Sequence, residues 1–557
     1  MNADVTIYES AGSGLKQTIL SWEFQTALVL AVPASVTSST QAAYLIDSYD
    51  QQLQDISTGK VRLRIPLNTE LRLMKVGFIK SYTLDTVMSE KPFGCSSGLS
   101  DPFLVKADQE GVSVQIIMKS VPPGAVGQLY TGFDQDGIAV NHNAAGGNGD
   151  DFGLAADFDS SGRLLVSGYS KGTADMDMAL WGYDTDGNLD TTFNSTGYLT
   201  QDGDAGATAI NGEMGHGLVL DSSKRILVTG GVWNSTEADL DMAIWRYHAD
   251  GIPDTSFGTA GHVRHHNAAG GNSGDLARGI AVDSAGRIVI VGYSYGSGSN
   301  YDMVVWRYLE NGTLDTAFDG DGFLTHNDAA GGNDHDYAYA VAIDTSDRIV
   351  VTGKSANGAN DDMVLWRFDI SGNLEASFGT GGIVIHNGAA GGNGDDRGHQ
   401  VVLDGNGRII VAGYSYNGTD LDMALWRYNT DGSLDSTFGS GGVVVFNNPY
   451  GGDDKGNALV LDAAGKIVVA GIVKTGALGD MALWRFNSDG SADSGFGNSG
   501  YVTHDAAAGG DGDEEINFAS FNNRDNGIAI GPSGRIYVTG TSKNGAGNKD
   551  MVIWSYE

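Results

Sequence analysis

One cysteine, Cys95, stands in 557 residues. That excludes a disulfide framework and any cysteine-rich zinc site, and leaves the thiol as a small buried hydrophobe. Proline is scarce at 9. No apolar run approaches the ~18 residues that a membrane-spanning helix needs. Positive charge is also short: 33 Lys and Arg face 69 Asp and Glu, a net charge of −36. Such a surface repels phosphate backbones and anionic lipid, so nucleic acid and membrane surfaces are poor partners. The start, Met1-Asn2-Ala3-Asp4, has no basic region, and the apolar run Ala27–Val32 is short and follows Glu23. No signal peptide is expected.

Glycine is plentiful at 83, yet no Gly-X-Y period runs through it, which excludes collagen. With 41% hydrophobic residues the chain can bury a core, so disorder is not expected. Turns absorb the glycine, which points to many short strands.

Self-comparison resolves the organisation. Asp-Met-x-x-Trp recurs seven times, with Trp at 181, 245, 306, 366, 426, 484 and 554. Basic–aliphatic–x–x–small–Gly recurs as often, from Arg163–Gly168 to Arg535–Gly540. Phe-x-x-x-Gly starts at Phe133, Phe193, Phe257, Phe318, Phe378, Phe438 and Phe496. Residues 133–557 are therefore seven modules, each with four strand-like runs between Gly/Asn/Asp turns. Along Asp422-Met423-Ala424-Leu425-Trp426, Met and Leu face one way, Ala and Trp the other. Both faces are apolar, so each sheet is covered on both sides. Radial blades satisfy this, because each packs between two neighbours. The expected fold is all-β: a seven-bladed β-propeller of four-stranded antiparallel blades. A β-solenoid is the alternative.

The strings Leu434-Asp435-x-x-Phe438-Gly439, Gly-Arg-Ile-Val-Val-x-Gly and Asp-Met-x-x-Trp-Arg-Tyr resemble the bacterial delta-60 repeat family. The resemblance covers residues 133–557. It implies a propeller and a surface or secreted setting, with no general activity attached. Gly182 and Ser555, in place of the Arg after Trp, depart from the pattern.

Residues 1–125 share none of these strings and carry a balance of only −2. Val61–Ile65 alternates as a half-buried strand does. Thr26–Val32, Leu71–Ile79 and Val112–Met118 also read as strands, and Tyr44–Ile56 as a short helix. This is a small β-rich attachment domain. Val121-Pro122-Pro123-Gly124 stiffens its exit, and residues 126–132 link it to the propeller.

Several residues are candidates for chemistry. His265, His326, His386 and His504 recur at one module position, alongside Asn141, Gln201 and Phe446. They form a structural ring, each His bonding a neighbouring blade; Phe446 argues against metal coordination. Loops reading Gly-Gly-Asn-Gly-Asp-Asp partly resemble a calcium repeat. Asn148, Asp150, Asp151, Asn393, Asp395 and Asp396 are the candidate Ca²⁺ ligands, since hard oxygens on a flexible loop suit that ion. The bland reading is a turn. Tyr169, Trp233, Tyr295 and Tyr416 follow the third motif's glycine and are candidate sugar or receptor contacts. The Arg of Trp-Arg-Tyr is expected to pair with an Asp of the adjoining Asp-Gly turn.

Catalysis needs an asymmetric constellation, and these modules differ mostly by conservative swaps. The expected function is therefore non-enzymatic: an acidic propeller displayed from a larger protein assembly. A phage virion subunit (fibre, decoration or receptor-binding) suits the absence of a signal peptide and of disulfides. The alternatives are a bacterial surface or secreted adhesin, and a propeller glycosidase or lyase. A cell-surface glycan or receptor is the expected partner, with a homo-oligomer as a further possibility.

Overall fold

The structure is a computed structural model. It describes residues 127–557 other than 174, 202–211, 235–238, 299, 450, 475–478, 506 and 516–526, together with the strands of residues 1–126. The chain divides into two units, Met1–Val126 and Gly127–Glu557.

The first unit holds a five-stranded and a three-stranded sheet. Asn2–Ala11 and Gly14–Phe24 form an antiparallel hairpin, and Asn2–Ala11 also pairs with Ser113–Val121. Lys60–Arg64 and Leu30–Pro33 are strands, and the expected run Leu71–Ile79 is split between Glu70–Met74 and Ile79–Asp85. The expected helix over Tyr44–Ile56 lies outside the described residues.

The second unit is a seven-bladed β-propeller of four-stranded antiparallel blades. In the fourth blade the strands run Asp336–Ile343, Ile349–Ala356, Asp361–Phe368 and Ile383–His386. The sequence left open which strand is innermost. Neighbouring blades touch through the strands Gly270–Val282, Asp336–Ile343 and Asp396–Leu403, so these are innermost and the four-residue strands form the rim. The ring closes on itself: Ile138–Asn141, the first strand of this unit, pairs with Lys549–Tyr556 as the outer strand of the last blade.

Two-sided apolar strands fix this architecture. Val289, Val305 and Phe318 of the third blade share one buried cluster with Ile349, Val351 and Trp366 of the fourth. Each such interface resembles a small sandwich core, and among the described residues these clusters cover both faces of the first five blades. Below it, Phe318 is fully buried and Arg307 stacks over its ring at 4.5 Å. The Arg partner differs from expectation. Arg307 Nε donates to Asp315 at 2.8 Å, and Arg427 Nε to Asp435 at 2.9 Å; these carboxylates precede the Phe by three residues and do not belong to an Asp-Gly turn. That position lets a guanidinium plane lie flat on the Phe while its edge meets a carboxylate.

Candidate functional site

The seven modules are least alike where they meet the axis. In each of the first six blades the inner strand carries a β-bulge, one extra residue opposite a single partner. The inserted residues are Leu154, His216, Arg278, Tyr339, His399 and Asn457, all between 0% and 3% exposed. They touch from blade to blade. Arg278 Nη1 lies 3.5 Å from His216 Nδ1, the Tyr339 and His399 rings meet edge to face at 5.8 Å, and His399 Nδ1 lies 3.1 Å from Asn457 Oδ1. Among the described residues these contacts join the second blade to the third, and the fourth to the fifth and sixth.

Two residues earlier on the same strands stand Phe152, Met214, Leu276, Tyr337, Arg397 and Lys455. The change from apolar to aromatic to cationic makes one face asymmetric. Tyr337 meets Tyr293 edge to face at 4.4 Å, and Tyr301 lies 5.2 Å from Tyr293, 5.1 Å from Tyr295 and 5.7 Å from Tyr337. All four are half-buried. Arg278 donates to the Tyr293 hydroxyl at 2.9 Å, which leaves that O–H to donate elsewhere. Burial and the nearby Tyr293 push the Tyr337 phenol well above its ordinary value, and burial raises Tyr301, so both stay protonated. His335 lies 5.6 Å from Tyr301 and 5.8 Å from Tyr337, and its Nδ1 accepts the Tyr301 backbone N–H at 3.0 Å. That bond assigns the proton to Nε2.

Beside the tyrosines lies an ionic group. Lys354 Nζ sits over the Tyr337 ring at 4.6 Å and binds both Asp361 oxygens at 3.0 Å. Arg397 pairs with the same Asp361 and reaches Asp395 at 3.4 Å. The following blade adds Lys455, 3.3 Å from Asp453. Rings, protonated hydroxyls and alternating ion pairs can stack on a ligand's apolar face while donating to and accepting from its polar groups.

The expected ligand contacts divide. Tyr295 belongs to the tyrosine cluster, and Tyr416 is half-buried beside Gly394 of its own blade. Trp233 is half-buried on the second blade. Tyr169 is corrected: it is 3% exposed and stacks on Phe152 at 4.5 Å within a small core, so it has no face to offer.

The candidate metal ligands hold up backbone. Asp151 accepts from the Asn143 N–H at 2.8 Å and Asp396 from the Gly388 N–H at 2.8 Å, each pinning its loop. Asp150 accepts from Lys549 N at 2.9 Å and Asp395 from Asp361 N at 3.1 Å, tying adjacent blades. Asn148 Oδ1 meets His142 Nε2 at 2.9 Å, and Asn393 is exposed. Asp151 also groups with His142 and Asp550, their ligand atoms within 4.8 Å, and Asp239, Asp241 and His266 form a second such group. His142 Nδ1 already pairs with Asp550 at 2.8 Å, and His266 Nδ1 with Asp241 at 2.8 Å.

The recurring histidines sit on the rim strands, away from the axis. Trp306 of the third blade donates to Nδ1 of His265 at 3.2 Å. His326, His386 and His504 face Trp366, Trp426 and Trp554 with centroids 6.2, 6.0 and 6.3 Å apart. Burial lowers the pKa of all four, so they are neutral at pH 7.

Sequence reasoning missed Tyr301, His335, Tyr337, Lys354 and Arg397. The signal lies at the position where aligned modules disagree, and the recurring motifs do not reach it.

Comparisons with known proteins agree on the fold. A family described as a domain of unknown function (DUF5122) beta-propeller matches residues 286–318, 405–438 and 465–496. This supports a propeller repeat family. No curated protein matches the sequence. Among solved structures, the chain is similar to the polysaccharide lyase Uly1 (14% identity, 79% of this chain and 95% of that one, TM-score 0.41). It is also similar to Sqt1 of Chaetomium thermophilum (11%, 76% and 98%, TM-score 0.38). A third is an α-L-arabinofuranosidase of Fusarium graminearum (11%, 61% and 91%, TM-score 0.33). At these identities the likeness is one of fold alone. The expectation that the chain is not an enzyme is corrected: structures similar to it include a lyase and a glycosidase. Its own inner strands also depart from the sevenfold sameness on which that expectation rested.

Proposed function

We propose that the propeller recognises a saccharide chain across the centre of one face, with Tyr293, Tyr295, Tyr301 and Tyr337 as the seat. One observation carries this reading: half-buried tyrosines from two adjacent blades form a continuous aromatic belt beside the ion-paired Lys354, Asp361 and Arg397. Sugar rings present C–H faces to aromatic rings and hydroxyls to paired ions. A glycan array followed by calorimetry on Tyr301→Ala tests it. The variant is expected to lose at least tenfold in affinity, equivalent to about 1.4 kcal/mol. Unchanged affinity places the ligand elsewhere.

A second reading, cleavage of the bound chain, is favoured by His335. Its ring stands at the edge of the belt, and its Nε2–H, 3.6 Å from Asp334, is a hydrogen-bond donor to a bound chain. Release of new sugar ends by the native protein, lost in His335→Ala with binding retained, is the expected result. Saccharide recognition suits either setting read from the sequence, a virion subunit docked through residues 1–125 or a cell-surface adhesin.

A further inference from the structure

We infer that the chain held on this belt is an uncharged polysaccharide, an inference that rests on the saccharide reading and narrows it. The observation is charge balance at the seat in a molecule of net charge −36. Lys354 is bound by Asp361, Arg397 by Asp361 and Asp395, and Lys455 by Asp453. Asp361 is buried, so a uronate or sulfate that took Lys354 or Arg397 would strip this carboxylate of a partner inside the protein. Asp334, 3.6 Å from His335 at the edge of the belt, adds a further carboxylate, and Arg278 is buried and engaged by the Tyr293 hydroxyl. Among the described residues, the seat therefore has no surplus positive charge to offer.

Long-range forces point the same way. A polyanion approaching this face meets the repulsion of the whole disc, screened only beyond about 8 Å at physiological salt. A neutral chain meets none of it. Its hydroxyls donate to Asp361 and Asp395 and accept from Lys354 and Arg397, so intact ion pairs become an advantage. Its apolar ring faces lie on Tyr301 and Tyr337.

The test is a panel of soluble polysaccharides: a neutral glucan, a neutral galactomannan, a polygalacturonate, a sulfated galactan and chitosan. Binding is read by affinity electrophoresis and calorimetry at low salt and at about 0.5 M salt. The expected result is binding of at least one neutral chain with an affinity that changes less than about twofold between the two salts. Preference for the polyuronate, the sulfated chain or chitosan by about tenfold at low salt, lost at high salt, overturns the inference and leaves saccharide recognition standing. Binding to none of the five overturns both.

Asp361→Asn supplies the converse arm. Freed of their shared carboxylate, Lys354 and Arg397 are expected to raise affinity for polygalacturonate at low salt about fivefold or more. Asp395→Asn, at a half-buried position that keeps its acceptor for the Asp361 N–H, makes the same prediction and covers the case in which the first variant does not fold. No gain in either folded variant overturns the inference.

Discussion

Trp306 donates its indole N–H to His265 at 3.2 Å, across the boundary between the second and third blades. The same two positions meet edge to face at other boundaries, and where Phe446 replaces the His it meets Trp484 at 5.5 Å. Shape is kept at this joint while the titratable ring is optional.

That gives a pH prediction with a definite sign. A His whose folded pKa is lowered by burial binds fewer protons folded than unfolded, so stability falls as pH drops through the unfolded value of ~6.5. His386→Phe copies the replacement at position 446. Denaturant midpoints at pH 7.5 and about pH 5 should differ less for this variant than for the native chain. An unaltered difference would show that His386 does not titrate in that window.

Asp454 works in the opposite direction. Burial, with Asp422 and Asp420 nearby, raises its pKa to about 7. The folded state then holds a proton that the unfolded chain releases near pH ~4, and stability contributed by that proton is lost as pH rises through 7. Asp454→Asn should therefore be more stabilising at pH 8 than at pH 5 relative to native. Equal melting shifts at both would contradict this.

Trp366 is fully buried between the third and fourth blades. Trp366→Ala should cost about 3–5 kcal/mol in equilibrium unfolding, because the cavity cannot collapse against two rigid sheets. A change within about 0.5 kcal/mol would remove the indole from the core.

Tyr169 and Tyr301 separate packing from recognition. Tyr169→Ala should cost about 3 kcal/mol of stability and leave saccharide affinity unchanged, since its ring is enclosed by Phe152, Leu154 and Met214. Tyr301→Ala should do the reverse. Parallel melting and binding curves for the two variants decide the matter.

The blades were legible in the sequence because every module must solve the same packing problem. Met, a small or branched apolar pair and Trp recur wherever a strand is pressed from both sides, as at Met363–Trp366 and Met423–Trp426. Strand order was not legible, since a cyclic shift leaves every motif intact and only the contacts between blades show which strand is innermost. The site was mostly illegible for a related reason. Tyr301 and Tyr337 belong to different modules and meet only across a blade boundary. Each looks like an ordinary strand residue in its own repeat. Tyr295 could be found because it follows a recurring glycine; Tyr337 occupies a position held elsewhere by Phe152, Leu276 or Arg397, so no shared pattern marks it.

The bulged inner strands carry a consequence for how such a chain can evolve. Near-identical tandem segments invite unequal recombination, which deletes, duplicates or reorders them. Here the first six segments bring five kinds of plug to the hub: an arginine that needs the preceding histidine, a tyrosine that abuts the next plug, a histidine fitted to an asparagine. Shuffled segments would still build good wedges and would still close at the rim, yet they would collide or leave charges stranded at the centre. The order of the segments is thereby locked from the inside, and drift is left to the turns.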